Sequence, residues 1–558
     1  MKGKVLFLIS AMALTLTACV EKPKTSESSS ASSQSQSSSE AWEGKTNDDF
    51  GKAAVSYFDN GVEKPLTRNT LYTNAGSPHL DGFHLDGPAT VHAMVVPFGF
   101  TDDDLQARQT SDNIERFKTA FFGTNEEIQA KGGLYSLAGF YQQSSYGQSN
   151  FEGQVLPTWV IYNGTTSQFA SASGGNGGVY ASNYARNWYV TEYAKENHGS
   201  LGADAHPLTW FDANNDGYID LIWVVYSKNY KSSTDWWAYV TYTANPADRT
   251  NPNVKTLAWA SMVFLDNGYS GYDTHTFIHE TGHTYGLDDY YDYNDTWAPM
   301  GGVDYMDHNL GDHSMFSKFT LGWTSPWVVD DDALITLRPG TTTGDCFILP
   351  SPDYNGTAFD EYFMLELMAP VGLAEQDYKN GYSYTTGYSQ PGIRITHVDN
   401  RAYANNRDNP VTDNWSTAKA IRIGNSYMGR TGVKTDGDYW THGDDRTSYS
   451  QFSIMEANCN AEDNWTLSSN YNATNNSLFR EKGFFNLKSQ WGWANTFMPS
   501  KTNLWNKAKT TTGWTGKDTQ LYEIDESCTF NYSIKVVSIA ADAEYGWVAK
   551  VQVTANAY

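Results

Sequence analysis

Apolar residues first gather at 89–98, ATVHAMVVPF, a run with β-branched members that predicts a central strand. Further on, Ile114, Phe117 and Phe121 recur at helical spacing, and Asp112-x-x-Glu115 reads as a cap for that helix. Residues 136–155, SLAGFYQQSSYGQSNFEGQV, predict a helix followed by a strand, and SGGNGG at 173–178 breaks the chain before a helix over about 183–197. DLIWVVY at 220–226 and TLAWASMVF at 256–264 predict further strands. Helices and strands alternate in this way up to about residue 325, which points to an α/β or α+β unit. From 326 onward helical periodicity fades. Runs at 361–367, 392–398 and 530–553 read as strands between Asn/Gly/Ser/Thr loops, so this part is β-rich, with a soft boundary around 415–480 and no internal repeat.

The N-terminus has a different pattern. Two lysines in Met1–Lys4 precede the apolar run Val5–Leu16, too short for a mature membrane span, which identifies a secretory signal peptide. It ends in Leu16-Thr17-Ala18-Cys19, which resembles the bacterial lipobox, with Cys19 as the lipidated residue; two acyl chains on that sulfur suffice for stable anchoring. From Lys22 to about Glu40 the chain is almost wholly Ser, Gln, Glu and Lys, with no apolar residue large enough to seed a core, and residues 20–40 form a tether. At about 5–6 Å × √n it gives the folded part a range of roughly 25 Å from the membrane.

Length and composition narrow the picture. At 558 residues two or three domains are expected. The formal charge of −25, with no Lys/Arg cluster, excludes a nucleic-acid partner. Abundant aromatics, 37 Tyr and 19 Trp, suit β-rich extracellular proteins. Beyond Cys19 only Cys346, Cys459 and Cys528 remain, so in an oxidising compartment at most one bridge forms, and the sequence does not choose among three pairings.

The chemistry is concentrated in residues 277–292, FIHETGHTYGLDDYYD. On a helix, positions i and i+4 share a face, so His279 and His283 can present ring nitrogens to one zinc ion, with Glu280 beside them as a base for a water on the metal. A third ligand must come from elsewhere, leaving one position for water and substrate. Gly286 can adopt the left-handed conformation that ends a helix and swing Asp289 back beneath the metal. Asp288 is the rival, with spacing favouring Asp289. A carboxylate in place of a neutral imidazole lowers the charge of the site, makes the zinc a weaker Lewis acid and puts more weight on Glu280 as proton acceptor.

Here the chain resembles the immune inhibitor A family of secreted bacterial zinc metallopeptidases, grouped with the metzincins. The family pattern stands as His279, Glu280, His283, Gly286, Leu287, Asp289, Tyr291 and Asp292. FYQQSSYGQSNFEGQV upstream, KFTLGW at 318–323, EYFMLEL and GIRITHVD downstream match it too, so the resemblance covers roughly residues 89–400. It implies an α+β, metzincin-like catalytic domain followed by β-rich modules, with Asp289 as third ligand and Glu280 as general base. It also implies a methionine turn beneath the metal, for which Met300 and Met306 both qualify. His308, Tyr290, Tyr291 and Tyr293 are candidates for stabilising the oxyanion.

A second motif lies at 212–220, DANNDGYID. Asp212, Asn214, Asp216, the Tyr218 carbonyl and Asp220 follow the first nine positions of an EF-hand loop, with Gly217 at the turn, which suits a structural calcium ion. The twelfth position is Trp223, not a bidentate glutamate, and a metal-free Asx turn is the competing reading.

These readings divide the chain into a signal peptide (1–19), a tether (20–40), an N-terminal segment that is a candidate propeptide (41–88), a catalytic domain (89–325), a β-rich subdomain (326–415) and a β-rich C-terminal region (416–558). The function expected is a lipid-anchored zinc endopeptidase acting on polypeptides, with substrate laid as an extra strand along 256–264. The alternative is a surface adhesin or glycan-binding lipoprotein with a vestigial zinc site. Residues 41–88 can cover the cleft, but with no cysteine between 20 and 345 any latch from them must use oxygen.

Overall fold

The computed structural model describes residues 42–66, 84–231, 235–266, 272–287, 289–290, 300–351, 354–379, 387–399, 452–455, 457, 473–486 and 532–555. The signal peptide, the lipobox with Cys19, the tether, Asp288, Tyr291, Asp292, Tyr293, Cys459 and Cys528 lie outside them. Among the described residues no helix is long and apolar enough to cross a membrane.

After a hairpin of β1 (Ser56–Asp59) and β2 (Val62–Pro65), the chain builds a six-stranded sheet. Its strands are β3 (Thr90–Gly99), β4 (Asn150–Val155), β5 (Val160–Ile161), β6 (Leu221–Tyr226), β7 (Tyr239–Tyr242) and β8 (Thr256–Ser261). The order is β4-β3-β6-β8-β7, with β5 also on β3. All pairs are parallel except β7–β8, so β7 is an antiparallel edge strand. Helices cover both faces. α1 (Ser111–Phe122), α2 (Leu137–Ser144) and α4 (His275–Thr284) pack with Val91, Ala93 and Val95 of β3, while α3 (Gly177–Tyr193) packs with Met94, Val96 and Phe98 on the other side. A sheet buried on both faces explains why these strands read as continuous apolar runs rather than alternating ones.

Two helix starts differ from the sequence expectation. α1 is capped by Thr110, whose side chain accepts from the Asn113 N–H; Asp112 lies inside the first turn instead. α3 begins at Gly177, not near 183, because glycines 177 and 178 belong to the helix. A Cβ on Gly178 would lie 3.0 Å from Leu257 and 3.1 Å from Trp259, so the missing side chain is what lets the helix lie close to β8.

The β-rich part is a sandwich. One sheet runs β14-β13-β12-β11-β9, from β9 (Trp327–Val328), β11 (Cys346–Pro350), β12 (Glu361–Met368), β13 (Gly392–Asp399) and β14 (Phe452–Ile454). The other runs β10-β17-β16-β15, from β10 (Ala333–Leu337), β15 (Phe484–Asn486), β16 (Ser533–Asp542) and β17 (Gly546–Thr554). Phe363, Leu365 and Leu367 face Val551 and Val553 in the sandwich core, whereas Tyr362, Met364 and Met368 face the core shared with α4. The two-residue period of β12 therefore welds the sandwich to the unit built on the six-stranded sheet.

That arrangement revises the domain boundaries. β17 pairs with β10 and β14 with β13, so strands from 326–415 and 416–558 build common sheets and residue 415 is no boundary. The N-terminal segment is also built in: Lys45 bridges to Ala333, Lys52 to Trp327 and Ala54 to Thr357, with Ala53 buried. Residues 44–54 thus line the sandwich, while Leu85 donates to the Thr284 carbonyl at the end of α4 (2.8 Å) and residues 67–83 lie outside the described residues.

Candidate metal centre

The helix α4 is held where it is by its apolar side. Phe277 and Ile278 are buried against the sheet, and Phe277 meets Trp223 of β6 with ring centroids 5.3 Å apart. Trp223 donates its indole N–H to Thr281 Oγ1 (3.1 Å), and the Tyr141 hydroxyl donates to the Ile278 carbonyl (2.7 Å). Its direction follows from its ends. Asp273, just before it, donates to the Leu265 carbonyl beyond β8, and near its close the Tyr242 hydroxyl donates to the His283 carbonyl (3.0 Å). α4 therefore runs antiparallel to β8 and alongside β7.

The helix stops at Gly286, whose φ of 88° is left-handed, and the Leu287 N–H returns to the Gly282 carbonyl (3.2 Å). This turn brings Asp289 back onto the histidines. Its Oδ1 lies 2.9 Å from His279 Nε2 and 3.3 Å from His283 Nε2. One ligand atom from each of the three residues falls within 4.8 Å of the others, and among the described residues this is the one such group of His, Cys, Asp and Glu.

The opposite ring nitrogens decide what the cluster fits. His279 Nδ1 faces the Tyr305 carbonyl (3.0 Å) and His283 Nδ1 the Leu287 carbonyl (2.7 Å). A carbonyl only accepts, so both Nδ1 atoms carry hydrogen, and Nε2 is the nitrogen that each ring turns toward Asp289. A cation would replace the Nε2 protons that join the rings to Asp289, leaving two lone pairs and a carboxylate oxygen around one buried point. A tetrahedral zinc ion with ligands at about 2.0–2.2 Å sets ligand atoms roughly 3.3–3.6 Å apart, close to the separations found here. The donor set of two imidazoles and a carboxylate, oriented by backbone carbonyls, fits zinc.

Charge follows the same pattern. Burial disfavours the His283 imidazolium, but Asp289 outweighs it and holds the pKa up at about 10. Burial alone would raise the Asp289 carboxyl; His283 and His279 instead hold it well below the usual carboxylate range. Glu280, also buried, is pushed up by desolvation against the pull of the two histidines.

Of the two methionine-turn candidates, Met306 lies against the helix. A Cβ on Gly282 would fall 2.3 Å from Met306 Sδ, so the thioether is pressed against the turn that carries His283. Met300 is buried in the same core. The loop presenting Tyr305 and Met306 is fixed by Asp304, fully buried, which accepts from the Met306 N–H (2.8 Å), the Ser314 N–H (2.7 Å) and the Ser317 hydroxyl (2.9 Å). Desolvation would raise the Asp304 carboxyl, but hydrogen bonds from His313 and Ser314 bring it down to about 2. Below this, Lys318 of KFTLGW is fully buried and paired with Asp312 (2.5 Å). Of the oxyanion candidates, Tyr290 is hydrogen-bonded with Ser317 (2.9 Å) and His308 with Asp307 (2.6 Å).

The strand expected to receive a peptide is displaced by one position. β8 is paired on both sides, by β6 and β7, so among the described residues the sheet ends at β7. Four half-buried residues, Tyr239–Tyr242, carry no alternating pattern that the sequence reading would pick up.

The loop 212–220 is held by its own hydrogen bonds. Asp212 accepts from the Asp216 and Gly217 N–H groups (2.9 Å each), Asn214 from Asp216 (2.9 Å), Asp216 from Tyr218 (3.0 Å), and Asp220 from Ala213 and from His92 of β3 (2.8 Å). Asp216 also pairs with Lys255 (3.2 Å). Burial lifts the Asp220 carboxyl to about 7.

Tyr305 and Tyr242 were not singled out in the sequence, and Leu287 only as a position of the family pattern. Tyr305 and Leu287 act through carbonyls, which leave no sequence signature. Compared with models of known protein families and with curated proteins, the chain matches none.

Proposed function

We propose that the chain is a zinc endopeptidase, secreted and held at the outer face of a bacterial membrane through lipid on Cys19, that hydrolyses peptide bonds in extracellular proteins. The observation that carries this reading is the convergence of His279 Nε2, His283 Nε2 and Asp289 Oδ1, with both Nδ1 atoms tied to carbonyls and Glu280 on the same helix. The likeness of segments outside this cluster, such as FYQQSSYGQSNFEGQV and KFTLGW, to the immune inhibitor A pattern also supports it.

When bound, zinc supplies Lewis-acid polarisation of the scissile carbonyl and makes water acidic enough to attack it near neutral pH. The Glu280 carboxylate, whose proton affinity burial has raised, accepts a proton from the attacking water and passes it to the leaving amine. The Tyr305 and Leu287 carbonyls keep the two imidazoles aimed. The outer edge of β7 offers backbone groups with which a substrate pairs as an added strand. Calcium at 212–220 belongs to the same proposal as a structural ion, one that must displace Lys255 from Asp216.

The test is casein hydrolysis by Glu280→Gln. Turnover is expected to fall by about 10²–10⁴-fold, the usual contribution of a general base, with metal content unchanged. Hydrolysis at the wild-type rate overturns the assignment.

A further inference from the structure

Beyond the N-terminal end of β7 lies an aromatic group that the proposed chemistry does not use. Tyr230 and Phe264 stack with centroids 4.3 Å apart and planes within 10°. Trp237 stands edge-on to both, at 5.1 Å and 5.4 Å. Tyr230 and Phe264 belong to the core on the α4 face of the sheet, whereas the neighbouring Trp236 packs on the opposite face. Trp237 is 39% exposed, one of few large apolar side chains so placed, and sits two residues before β7.

We propose that Trp237, backed by Tyr230 and the buried Phe264, forms a subsite for an aromatic or large aliphatic side chain of the substrate, on the C-terminal side of the cleaved bond. The inference rests on the peptidase reading, and it follows from directions already described. α4 runs alongside β7, with Tyr242 level with His283 and the start of the helix level with the residues before Tyr239. A peptide added antiparallel to β7 runs from the Tyr242 end toward Trp237. At about 3.3 Å per strand residue against 1.5 Å per helix residue, the ring of Trp237 stands roughly three to four substrate residues beyond the metal ligands. Trp237 precedes the strand by two residues, and its partly exposed indole suits a flat or branched apolar side chain.

The experiment is a digest of a randomised peptide library by the full-length, zinc-loaded protein, followed by kinetics on two peptides differing only as Phe or Ala at the preferred position. Wild type is expected to favour Phe, Tyr, Trp or Leu at the third or fourth residue after the cleaved bond, by about tenfold in kcat/KM, the scale of discrimination given by an apolar pocket. In Trp237→Ala that ratio is expected to fall to near one, and in Trp237→Phe most of it returns; thermal melts verify that each variant is folded. Cleavage by wild type with a profile that Trp237→Ala does not change overturns the subsite alone. No cleavage by zinc-loaded wild type overturns the peptidase reading and the subsite with it.

Discussion

Substituting Gly282 by alanine probes how closely the metal-bearing helix is fitted to the loop beneath it. In the interior of a helix the exchange should stabilise by about 1 kcal/mol, since glycine costs that much relative to alanine. Here the new methyl group would meet Met306 Sδ at 2.3 Å and Met306 Cε at 3.2 Å. An ordinary contact is about 3.5–4.0 Å, so the thioether or the helix must give way by more than about 1 Å. Overpacking of this kind costs about 1–3 kcal/mol, which outweighs the helix gain and leaves a net loss of up to about 2 kcal/mol. Because His283 follows directly, the same displacement is expected to lower turnover by about 100-fold, the penalty of a misplacement of about 1 Å in a catalytic group. The assay is a double-mutant cycle with Met306→Ala, read by urea denaturation and zinc content. Met306→Ala alone should cost about 2–5 kcal/mol through its cavity, which the new methyl partly fills, so the double mutant should be more stable than the sum of the single losses by at least about 1 kcal/mol. The same cycle with Met300 should be additive. Additivity with Met306, or a Gly282→Ala protein with unchanged zinc content and turnover, would refute the placement of Met306 under the site.

Three further outcomes are expected. Removing the charge of Lys318 as Lys318→Met leaves Asp312 buried without its cation and should cost about 3–5 kcal/mol in urea unfolding, with Asp312→Asn added to it recovering part of the loss. Burial holds the Asp377 carboxyl at about 7, against the opposing pull of Arg394. The folded protein then binds this proton more tightly than the unfolded chain, so its share of stability is present below the ordinary carboxylate range near pH 4 and is lost as pH rises through about 7. Denaturation of Asp377→Asn between pH 5 and pH 8 should lack that part of the wild-type decline, and parallel curves would contradict it. If the 212–220 loop takes calcium, millimolar calcium should raise the melting temperature of wild type but not of Asp212→Ala, and equal shifts would rule the loop out.

Much of the site was legible because its signals are local. The i, i+4 spacing of His279 and His283 and the helix-ending Gly286 depend only on neighbours a few residues away. β3, β6 and β8 were visible as apolar runs for the same reason. Contacts made at a distance left no such mark. β17 joins β10 across some two hundred residues of chain, and the register of that pairing is written in neither strand alone. The glycines opening α3 looked like a break, since their use is a close approach to Trp259 that only the packed structure reveals. Lys318 sits in a segment read for its likeness rather than its charge, and its burial depends on Asp312, Ser144 and Thr341 meeting in one place. Between Met300 and Met306 the sequence offered no choice; the contact with Gly282 supplies one.

The central claim is that His279, His283 and Asp289 hold one zinc ion. Zinc bound per chain after dialysis against a weak chelator tests it most directly, comparing wild type with Asp289→Ala and Glu280→Gln. About one ion is expected in wild type and in Glu280→Gln, and a dissociation constant for Asp289→Ala weakened by at least about 10–100-fold, the loss expected even for a group that only supports a metal ligand. Unchanged zinc in Asp289→Ala, or none in wild type, would contradict it.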